Sequence, residues 1–284
     1  MPSRGKGKTE MILVQLTDLH IQPRRMAIYR TAETNMLTER ALRAVARLNP
    51  SPDAVIISGD LVDGGTAEEY RLLADMLRRH LHVPIYAIPG NHDRRETMKA
   101  ELGHLPGVRA HPDFVQYAID DHPVRLVMLD TVIPGSGAGE LCAARLAWLD
   151  ETLAAAPEKP TMVAMHHPPF VTGVTHMDAI GLRNPAEFEA VIAKHKQVKR
   201  ILCGHIHRMV STMVAHAIAT VSPSAAHQIE FTLGDEPGFW NLEPAAFQVL
   251  TAGPGGQIVA HTVYVEDFPG PFPFGPAADD TQND

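Results

Sequence analysis

Five short polar motifs, each built from aspartate, asparagine or histidine, directly follow apolar segments of strand length. They are Asp18-Leu19-His20, Gly59-Asp60, Gly90-Asn91-His92-Asp93, His166-His167 and Gly204-His205-Ile206-His207. Carboxylate oxygens and imidazole nitrogens together suit divalent ions such as Mn, Fe, Co and Zn. The motifs hold too many ligands for one ion and enough for two. Two ions need a bridging group, and a carboxylate can supply two oxygens, so we expect Asp60 to be the bridge.

The spacing within these motifs has a chemical reason. Side chains two residues apart on an extended segment point the same way, so Asp18-Leu19-His20 and His205-Ile206-His207 could each present two ligands together. Gly59, Gly90 and Gly204 each stand directly before a candidate ligand. Glycine at these positions would let the backbone crowd an ion without a Cβ clash.

The elements that must carry the motifs alternate between strand and helix in the first part of the chain. Short apolar runs predict strands at residues 11–17, 54–58 and 85–88. Apolar residues at helical spacing predict a helix over 34–48, and the capping box Thr66-Ala67-Glu68-Glu69 predicts the start of another. This alternation is typical of βαβ units in a largely parallel sheet. Ligands bind beyond the carboxyl ends of such strands, so the motifs should gather at one edge.

The rest of the chain predicts a hairpin, two helices, further strands and two terminal tails. The expected elements are hairpin strands at 115–119 and 124–129, a helix at 143–155, a strand at 162–165, a helix capped by Asn184 with Pro185 in its first position, a strand at 198–203, and strands within 210–221 and 246–265. Residues 1–10 are expected to be a disordered tail. The proline-rich stretch 268–284 is expected to be an arm or a tail.

Composition argues against several classes of protein. The chain of 284 residues is 45% hydrophobic and 20% charged, which is ordinary for a globular enzyme. No apolar run reaches the ~18 residues that a membrane-spanning helix needs. The net charge of −8 and the lack of a basic patch argue against a nucleic acid partner. Two cysteines without a CxxC pattern, and an N-terminal apolar run too short for a secretory signal, lead us to expect a cytoplasmic location.

The ordered series of motifs resembles that of the calcineurin-like metallophosphoesterases over residues 12–207. The strings that support the resemblance are DAVIISGD, IPGNHD, MHHPP and CGH. Within that superfamily, the chain is most similar to bacterial glycerophosphodiesterases and the related cyclic-AMP phosphodiesterases. The resemblance implies an α/β fold, namely a four-layer α/β/β/α sandwich of two mixed sheets with the helices outside.

The resemblance also implies how the chain is divided. Residues 11–207 and 236–265 would form the catalytic domain. Residues 208–235 and 266–284 would form a small cap that narrows the active site and pairs subunits, so we expect a homo-oligomer, a dimer or larger. The phenylalanines that would suit an arm lying on a partner are Phe268, Phe272 and Phe274.

A hydrolase with two divalent metal ions (Fe, Mn, Co or Zn) is the activity that the resemblance implies. One ion would be held by Asp18, His20, Asp60 and His207, and the other by Asp60, Asn91, His166 and His205. A metal-bound hydroxide would attack the phosphorus of a small phosphodiester, either a glycerophosphodiester or a 3′,5′-cyclic nucleotide.

Further residues of the expected site would contact substrate. His92 would contact the phosphate or act as general acid for the leaving alkoxide. Asn91, His227 and Tyr29 match residues near the substrate. Hydrogen bonding around the site, or turn formation, is the expected role of Asp63 and Asp93. His167 is expected to point away from the site.

The motif after Asp60 departs from that of the protein phosphatases of the superfamily. Those enzymes carry an arginine where this chain has Gly64, so we expect a diester monoanion rather than a phosphomonoester dianion as substrate. The alternatives are a nuclease or phosphomonoesterase of the same superfamily, or a non-catalytic scaffold. The acidic net charge argues against a nuclease. A scaffold would have lost ligands, whereas every ligand position is filled here.

Overall fold

The computed structural model describes residues 10–24, 26–28, 31–235, 237–272 and 274. The strands are β1 (Met11–Leu16), β2 (Ala54–Ser58), β3 (Ile85–Ile88), β4 (Tyr117–Ile119), β5 (Arg125–Met128), β6 (Thr161–Ala164), β7 (Val198–Cys203), β8 (Val210–Val214), β9 (Ala217–Val221), β10 (Gln228–Ile229), β11 (Trp240–Asn241), β12 (Ala246–Ala252) and β13 (Ile258–Tyr264). The helices are α1 (Thr34–Ala46), α2 (Ala67–His80), α3 (Arg95–Glu101), α4 (Ala143–Ala154), α5 (Thr175–Asp178) and α6 (Pro185–Lys194). A 3₁₀ turn, Pro254–Gly256, joins the last two strands.

The first sheet confirms the parallel core that strand–helix alternation predicts. Its order is β13-β12-β1-β2-β3. The three strands β1, β2 and β3 run parallel, whereas β12 pairs antiparallel with β1 and with β13. Thr66 caps α2 as the sequence predicts, and the reciprocal bond, in which the carboxylate of Glu69 accepts from the backbone N–H of Thr66, is also present.

The second sheet begins with the predicted hairpin. Its order is β4-β5-β6-β7-β9-β8, with β4 antiparallel to β5 and the run β5-β6-β7-β9 parallel. Residues 210–221, which lie in the expected cap segment 208–235, supply β8 and β9 to this sheet. Of that segment, only the residues outside these two strands are left to form a cap.

The two sheets pack against each other and carry helices outside, which confirms the predicted four-layer sandwich. Apolar residues of α1 and α2 join the core cluster of the first sheet, and those of α4 and α6 join that of the second. Leu126, Met162 and Leu202 extend from the second sheet into the first cluster. A hydrogen bond of 2.9 Å from Gln15 to the carbonyl of Cys203 also joins the layers.

Asn184 is the N-cap residue of α6 and Pro185 its first residue, as predicted, but the side chain of Asn184 makes no capping hydrogen bond. Its side chain instead accepts from the backbone N–H of Leu141 and donates to the same residue's carbonyl, at 3.0 and 2.8 Å. This pair of bonds ties the loop before α4 to the start of α6. In the part of the chain described, no helix combines the length and the apolar character that crossing a bilayer requires.

Candidate metal centre

The loops that follow β1, β2, β6 and β7 are bonded to one another at a single edge of the sandwich. The backbone N–H groups of Asp18 and His20 donate to the carbonyls of Gly59 and Asp60, each at 3.0 Å. The N–H of Gly204 donates to the carbonyl of His166, also at 3.0 Å. The polar motifs therefore gather where the strand order predicts.

Five of the proposed ligand residues have a left-handed rather than an extended backbone, so our reason for the Asp-x-His and His-x-His spacing is wrong. The residues with positive φ are Asp18 (54°), His20 (47°), Asp60 (47°), His205 (74°) and His207 (52°). Such conformations are strained for residues with a side chain and persist only where the surroundings enforce them. Here the bonds between loops enforce them, and five occur in one centre.

The rings of His20 and His207 aim lone pairs at the same point. Nδ1 of His20 lies 3.1 Å from Oδ1 of Asp63, and Nδ1 of His207 lies 2.8 Å from the carbonyl of His227. Because these oxygens only accept, each Nδ1 carries the proton and each Nε2 keeps its lone pair when the ring is neutral. The two Nε2 atoms lie 3.2 Å apart, and that of His207 is also 3.2 Å from Oδ1 of Asp18. Converging acceptors of this kind suit a cation between them.

A second set of acceptors meets at His166. Its Nδ1 lies 2.9 Å from the carbonyl of Ser58, so the neutral ring presents its Nε2 lone pair to the site. That Nε2 is 3.1 Å from Oδ1 of Asn91 and 3.4 Å from Oδ2 of Asp60. The same Oδ2 is 3.7 Å from Nε2 of His20. One oxygen of Asp60 therefore faces both sets of ligands, as a bridging carboxylate must.

His205 contributes to the same edge with its backbone and its ring. Its N–H donates to both carboxylate oxygens of Asp18, at 3.2 and 3.1 Å. Its Nε2 lies 3.1 Å from the carbonyl of Ile180 and must donate to it, which leaves Nδ1 as the acceptor. The rings of His205 and His166 are 5.1 Å apart.

The glycines before the ligands make room for ligand side chains. A Cβ on Gly59 would stand 2.3 Å from Nδ1 of His166, and one on Gly90 would stand 2.2 Å from Oδ1 of Asp60. The absence of a Cβ is needed at these positions as expected, but the atoms that a Cβ would meet belong to ligand side chains rather than to an ion.

Charges around Asp60 shift the pKa values of the centre. Burial alone would raise the pKa of Asp60, but the charges of His166 and His92 outweigh burial and hold it well below its usual value. Burial alone would lower the pKa values of the two histidines, but Asp60 raises that of His166 to about 9 and, together with hydrogen bonds to Asp63, that of His92 to about 10. The carboxylate therefore draws positive charge into the centre.

His92 and Asp63 stand at the rim of the centre. Nδ1 of His92 lies 2.9 Å from the carbonyl of Asp63 and 3.3 Å from its Oδ1, and the ring is 37% exposed. The backbone N–H of His92 donates to Oδ1 of Asp60 at 2.9 Å. Beside it lies a cavity of about 140 Å³ whose lining includes Asn91, His92, Arg94, Val132 and Pro134. The expected hydrogen-bonding role of Asp63 is confirmed.

Of the other two residues matched to a substrate site, only His227 can be placed. Its ring lies 5.2 Å from that of His20 and 4.7 Å from that of His207, and Trp240 of β11 packs on it at 5.6 Å. Burial lowers the pKa of His227 to about 2. Tyr29 lies outside the described residues.

The expectation that His167 points away from the site holds only in part, because its ring packs on two proposed ligands while neither nitrogen points into the centre. Its ring lies 4.9 Å from that of His166 and 4.5 Å from that of His205. Thr131 and the carbonyl of Gly137 contact its two nitrogens, so neither nitrogen is left for a metal. Burial and the charge of His166 lower the pKa of His167 to about 3, which keeps the ring neutral. Strand periodicity is the only signal available for this residue, and the turn after β6 breaks it.

The donor set fits divalent metal ions. Among the described residues, four groups bring possible ligand atoms within 4.8 Å of one another. They are His20, His207 and His227; Asp18, His20 and Asp60; His20, Asp63 and His92; and His166, His167 and His205, although both nitrogens of His167 are already hydrogen-bonded. Imidazole nitrogen with carboxylate and amide oxygen suits Mn, Fe, Co or Zn rather than an all-oxygen calcium site. Two neighbouring sets that share Asp60 suit a pair of ions.

The fold and this centre are those of a metallophosphoesterase. The sequence model of the calcineurin-like phosphoesterases matches residues 11–209. The chain therefore belongs to the calcineurin-like phosphoesterase family.

Relatives place the chain more narrowly within that family. It is 34% identical to a "Probable glycerophosphodiester phosphodiesterase" of Arcobacter nitrofigilis, over 93% of this chain and 97% of the relative. It is 35% identical to a "Probable cyclic nucleotide phosphodiesterase" of Synechococcus, over 82% and 88%. A dimetal phosphatase of Danio rerio has the same fold, with a TM-score of 0.59, 14% identity, and coverage of 90% of this chain and 99% of that one.

Proposed function

We propose that this protein hydrolyses small phosphodiesters with the help of two divalent metal ions. The observation that carries the proposal is the pair of ligand sets that share Oδ2 of Asp60. The ligands would be Asp18, His20, Asp60 and His207 for one ion, and Asp60, Asn91, His166 and His205 for the other. When bound, such ions polarise phosphoryl oxygens and lower the pKa of a coordinated water.

The protein's own groups would orient the diester and handle a proton. Asn91 and His92 border the cavity beside the centre, where the leaving group would lie. Nδ1 of His92 donates to Asp63, so Nε2 is the nitrogen left for the substrate. Burial alone would lower the pKa of His92, but in the metal-free protein Asp60 and Asp63 raise it to about 10, which favours a protonated Nε2. It would donate to the leaving alkoxide as the ester bond breaks.

A diester is the expected substrate because Gly64 replaces the arginine of the protein phosphatases. A monoester is the second candidate, since Arg94 lies near that position and donates to the carbonyl of Gly64 at 3.3 Å. The relatives support the diester, because the names of both describe phosphodiesterases. They leave two diesters open, a glycerophosphodiester and a cyclic nucleotide.

One assay tests the proposal and separates these substrates. The metal-free protein is reconstituted with Mn²⁺, and kcat/KM is measured for cyclic AMP, glycerophosphoethanolamine and glycerol 3-phosphate. We expect a diester to exceed the monoester by tenfold or more. No turnover of either diester by a protein that holds two Mn²⁺ ions per chain would overturn the proposal. Faster turnover of the monoester would replace it with the second candidate.

Two variants separate metal binding from proton transfer. His92→Ala should keep both ions and lose about 10²-fold in kcat, because it removes the proton donor and no ligand. Asp60→Ala should lose metal together with activity, because it removes the shared ligand. Unchanged turnover by His92→Ala would contradict the role of His92 as general acid.

Pairing of subunits stays a prediction. Phe268, Phe272 and Phe274 are each more than half exposed, as expected of an arm that lies on a partner. Sedimentation analysis of the full chain and of a triple Phe→Ser variant tests it. A wild-type monomer would contradict the prediction.

A further inference from the structure

His167 connects two ligands of the proposed centre to one loop of the second sheet. The residue is fully buried and directly follows His166. Its ring touches the rings of His166 and His205, at centroid distances of 4.9 and 4.5 Å. Both of its hydrogen-bond partners lie in the loop of residues 131–139, between β5 and α4. A Cβ on Gly139 would stand 2.3 Å from its Nδ1, so the ring also packs directly on this loop.

The hydrogen bonds of His167 fix its tautomer. The carbonyl of Gly137, 3.0 Å from Nε2, can only accept, so Nε2 carries the proton. Nδ1 then accepts from the hydroxyl of Thr131 at 2.8 Å. Thr131 is itself fully buried, so no water can replace its O–H donor without rearrangement.

The loop that His167 holds also forms a wall of the substrate cavity. Val132, Pro134 and Gly135 line the cavity beside His92. Arg95 anchors the start of the loop through the carbonyl of Val132, at 2.5 Å. His167 holds the loop both at its first residue, Thr131, and near its end at Gly137.

A second path joins the same loop to His205. Nε2 of His205 donates to the carbonyl of Ile180, and the next residue, Gly181, accepts from the N–H of Gly139 at 3.1 Å. Ring contact and backbone bonds therefore lead from His205 to this loop by two routes.

We propose that His167 is a positioning residue that couples the metal site of Asn91, His166 and His205 to the 131–139 loop. Its ring fixes the orientation of the His166 and His205 rings. Its two hydrogen bonds form only when the loop is ordered, so the ligand rings take their metal-binding orientation together with the ordered loop. Metal binding and loop order then stabilise each other, since such coupling acts equally in both directions. The inference rests on the proposed assignment of His166 and His205 as ligands.

Thr131 allows a test that leaves every proposed ligand intact. Thr131→Val keeps the shape of the side chain but removes the donor to His167, and Thr131→Ser keeps the donor. Binding of Mn²⁺ is measured by competition with a chelator for wild type and both variants. We expect Thr131→Val to lower the affinity for one of the two Mn²⁺ ions by about tenfold or more and to leave the affinity for the other unchanged. Thr131→Ser should bind both ions nearly as wild type does.

Amide hydrogen exchange of the wild-type protein supplies a second measurement, which does not depend on the effect of any substitution. Mn²⁺ should slow the exchange of residues 131–139, and that slowing should be smaller in Thr131→Val. No slowing in a wild-type protein that holds two ions would overturn the inference. An equal loss of affinity for both ions in Thr131→Val, together with a lower melting temperature, would also overturn the inference. A wild-type protein that binds no Mn²⁺ would instead overturn the proposed function.

Discussion

The hydroxyl of Tyr70 donates a hydrogen bond of 2.8 Å to Oδ1 of the buried Asp93. The same hydroxyl accepts the backbone N–H of Arg94 at 3.0 Å. The other oxygen of Asp93 accepts the N–H groups of Leu61 and Gly90, at 3.0 and 2.8 Å. One carboxylate thus ties the loop after β2 to the loop after β3, which together carry three of the proposed site residues. The expected hydrogen-bonding role of Asp93 is confirmed.

Removal of the Tyr70 hydroxyl should destabilise the protein. Tyr70→Phe leaves Asp93 buried with one donor fewer, and a buried group that loses a partner costs about 1–3 kcal/mol. Urea unfolding of the metal-free protein measures the effect. Tyr264→Phe is the matched control, because Tyr264 is 55% exposed. Equal unfolding midpoints for the two variants would contradict the prediction.

The sequence was sufficient for the strands of the two large sheets and for the edge at which the motifs meet. Apolar runs mark β1, β2 and β3 because parallel strands are buried on both faces. The capping box marks the start of α2 because both of its reciprocal bonds are local. Features that depend on local sequence in this way can be predicted without knowing which distant residues they contact.

The conformations within the centre could not be read in this way. Asp18 and His20 adopt positive φ because neighbouring loops hold their N–H groups, and those loops are distant in sequence. The contacts of His167 likewise come from residues 131–139. The strands β10 and β11 have two residues each, which is too short for an alternation of apolar and polar residues that would predict them. In each case long-range contacts override the local pattern.

Gly59→Ala should disrupt the centre although it adds only a methyl group. Gly59 has a φ of 101°, and its added Cβ would stand 2.3 Å from Nδ1 of His166. Overpacking of this kind costs about 1–3 kcal/mol. We expect a lower melting temperature and loss of Mn²⁺. Gly253→Ala is the control, because its Cβ would meet nothing within 4 Å and its φ is −98°. A Gly59→Ala protein that keeps both ions would contradict the prediction.

Asp63→Asn should weaken the centre without removing a proposed ligand. Oδ1 of Asp63 lies 3.1 Å from Nδ1 of His20 and 3.3 Å from Nδ1 of His92, so one charge orients both rings. Loss of such a partner reduces metal affinity or activity by about 10–100-fold. Mn²⁺ binding and kcat are measured beside Asp75→Asn, a control on the exposed face of α2. Wild-type values for Asp63→Asn in both measurements would show that this carboxylate does not orient the rings.

The stability of the protein should depend on Glu39 only above acidic pH. Oε1 of Glu39 in α1 lies 2.9 Å from Arg43, 3.3 Å from Arg79 and 3.1 Å from His80 of α2. Burial alone would raise the pKa of Glu39, but these partners lower it. A lowered pKa in the folded state stabilises the protein above the unfolded value of about 4.3, and this stabilisation is lost as the pH falls through the folded pKa.

Glu39→Gln should therefore lower the free energy of unfolding at pH 7 and make no difference well below pH 4. The exposure of the partners limits the loss at pH 7 to about 1 kcal/mol. Urea unfolding at both pH values is compared with that of Glu151→Gln, an exposed glutamate of α4. A deficit of Glu39→Gln that is as large in acid as at pH 7 would show that packing, rather than charge, links α1 to α2 at this position.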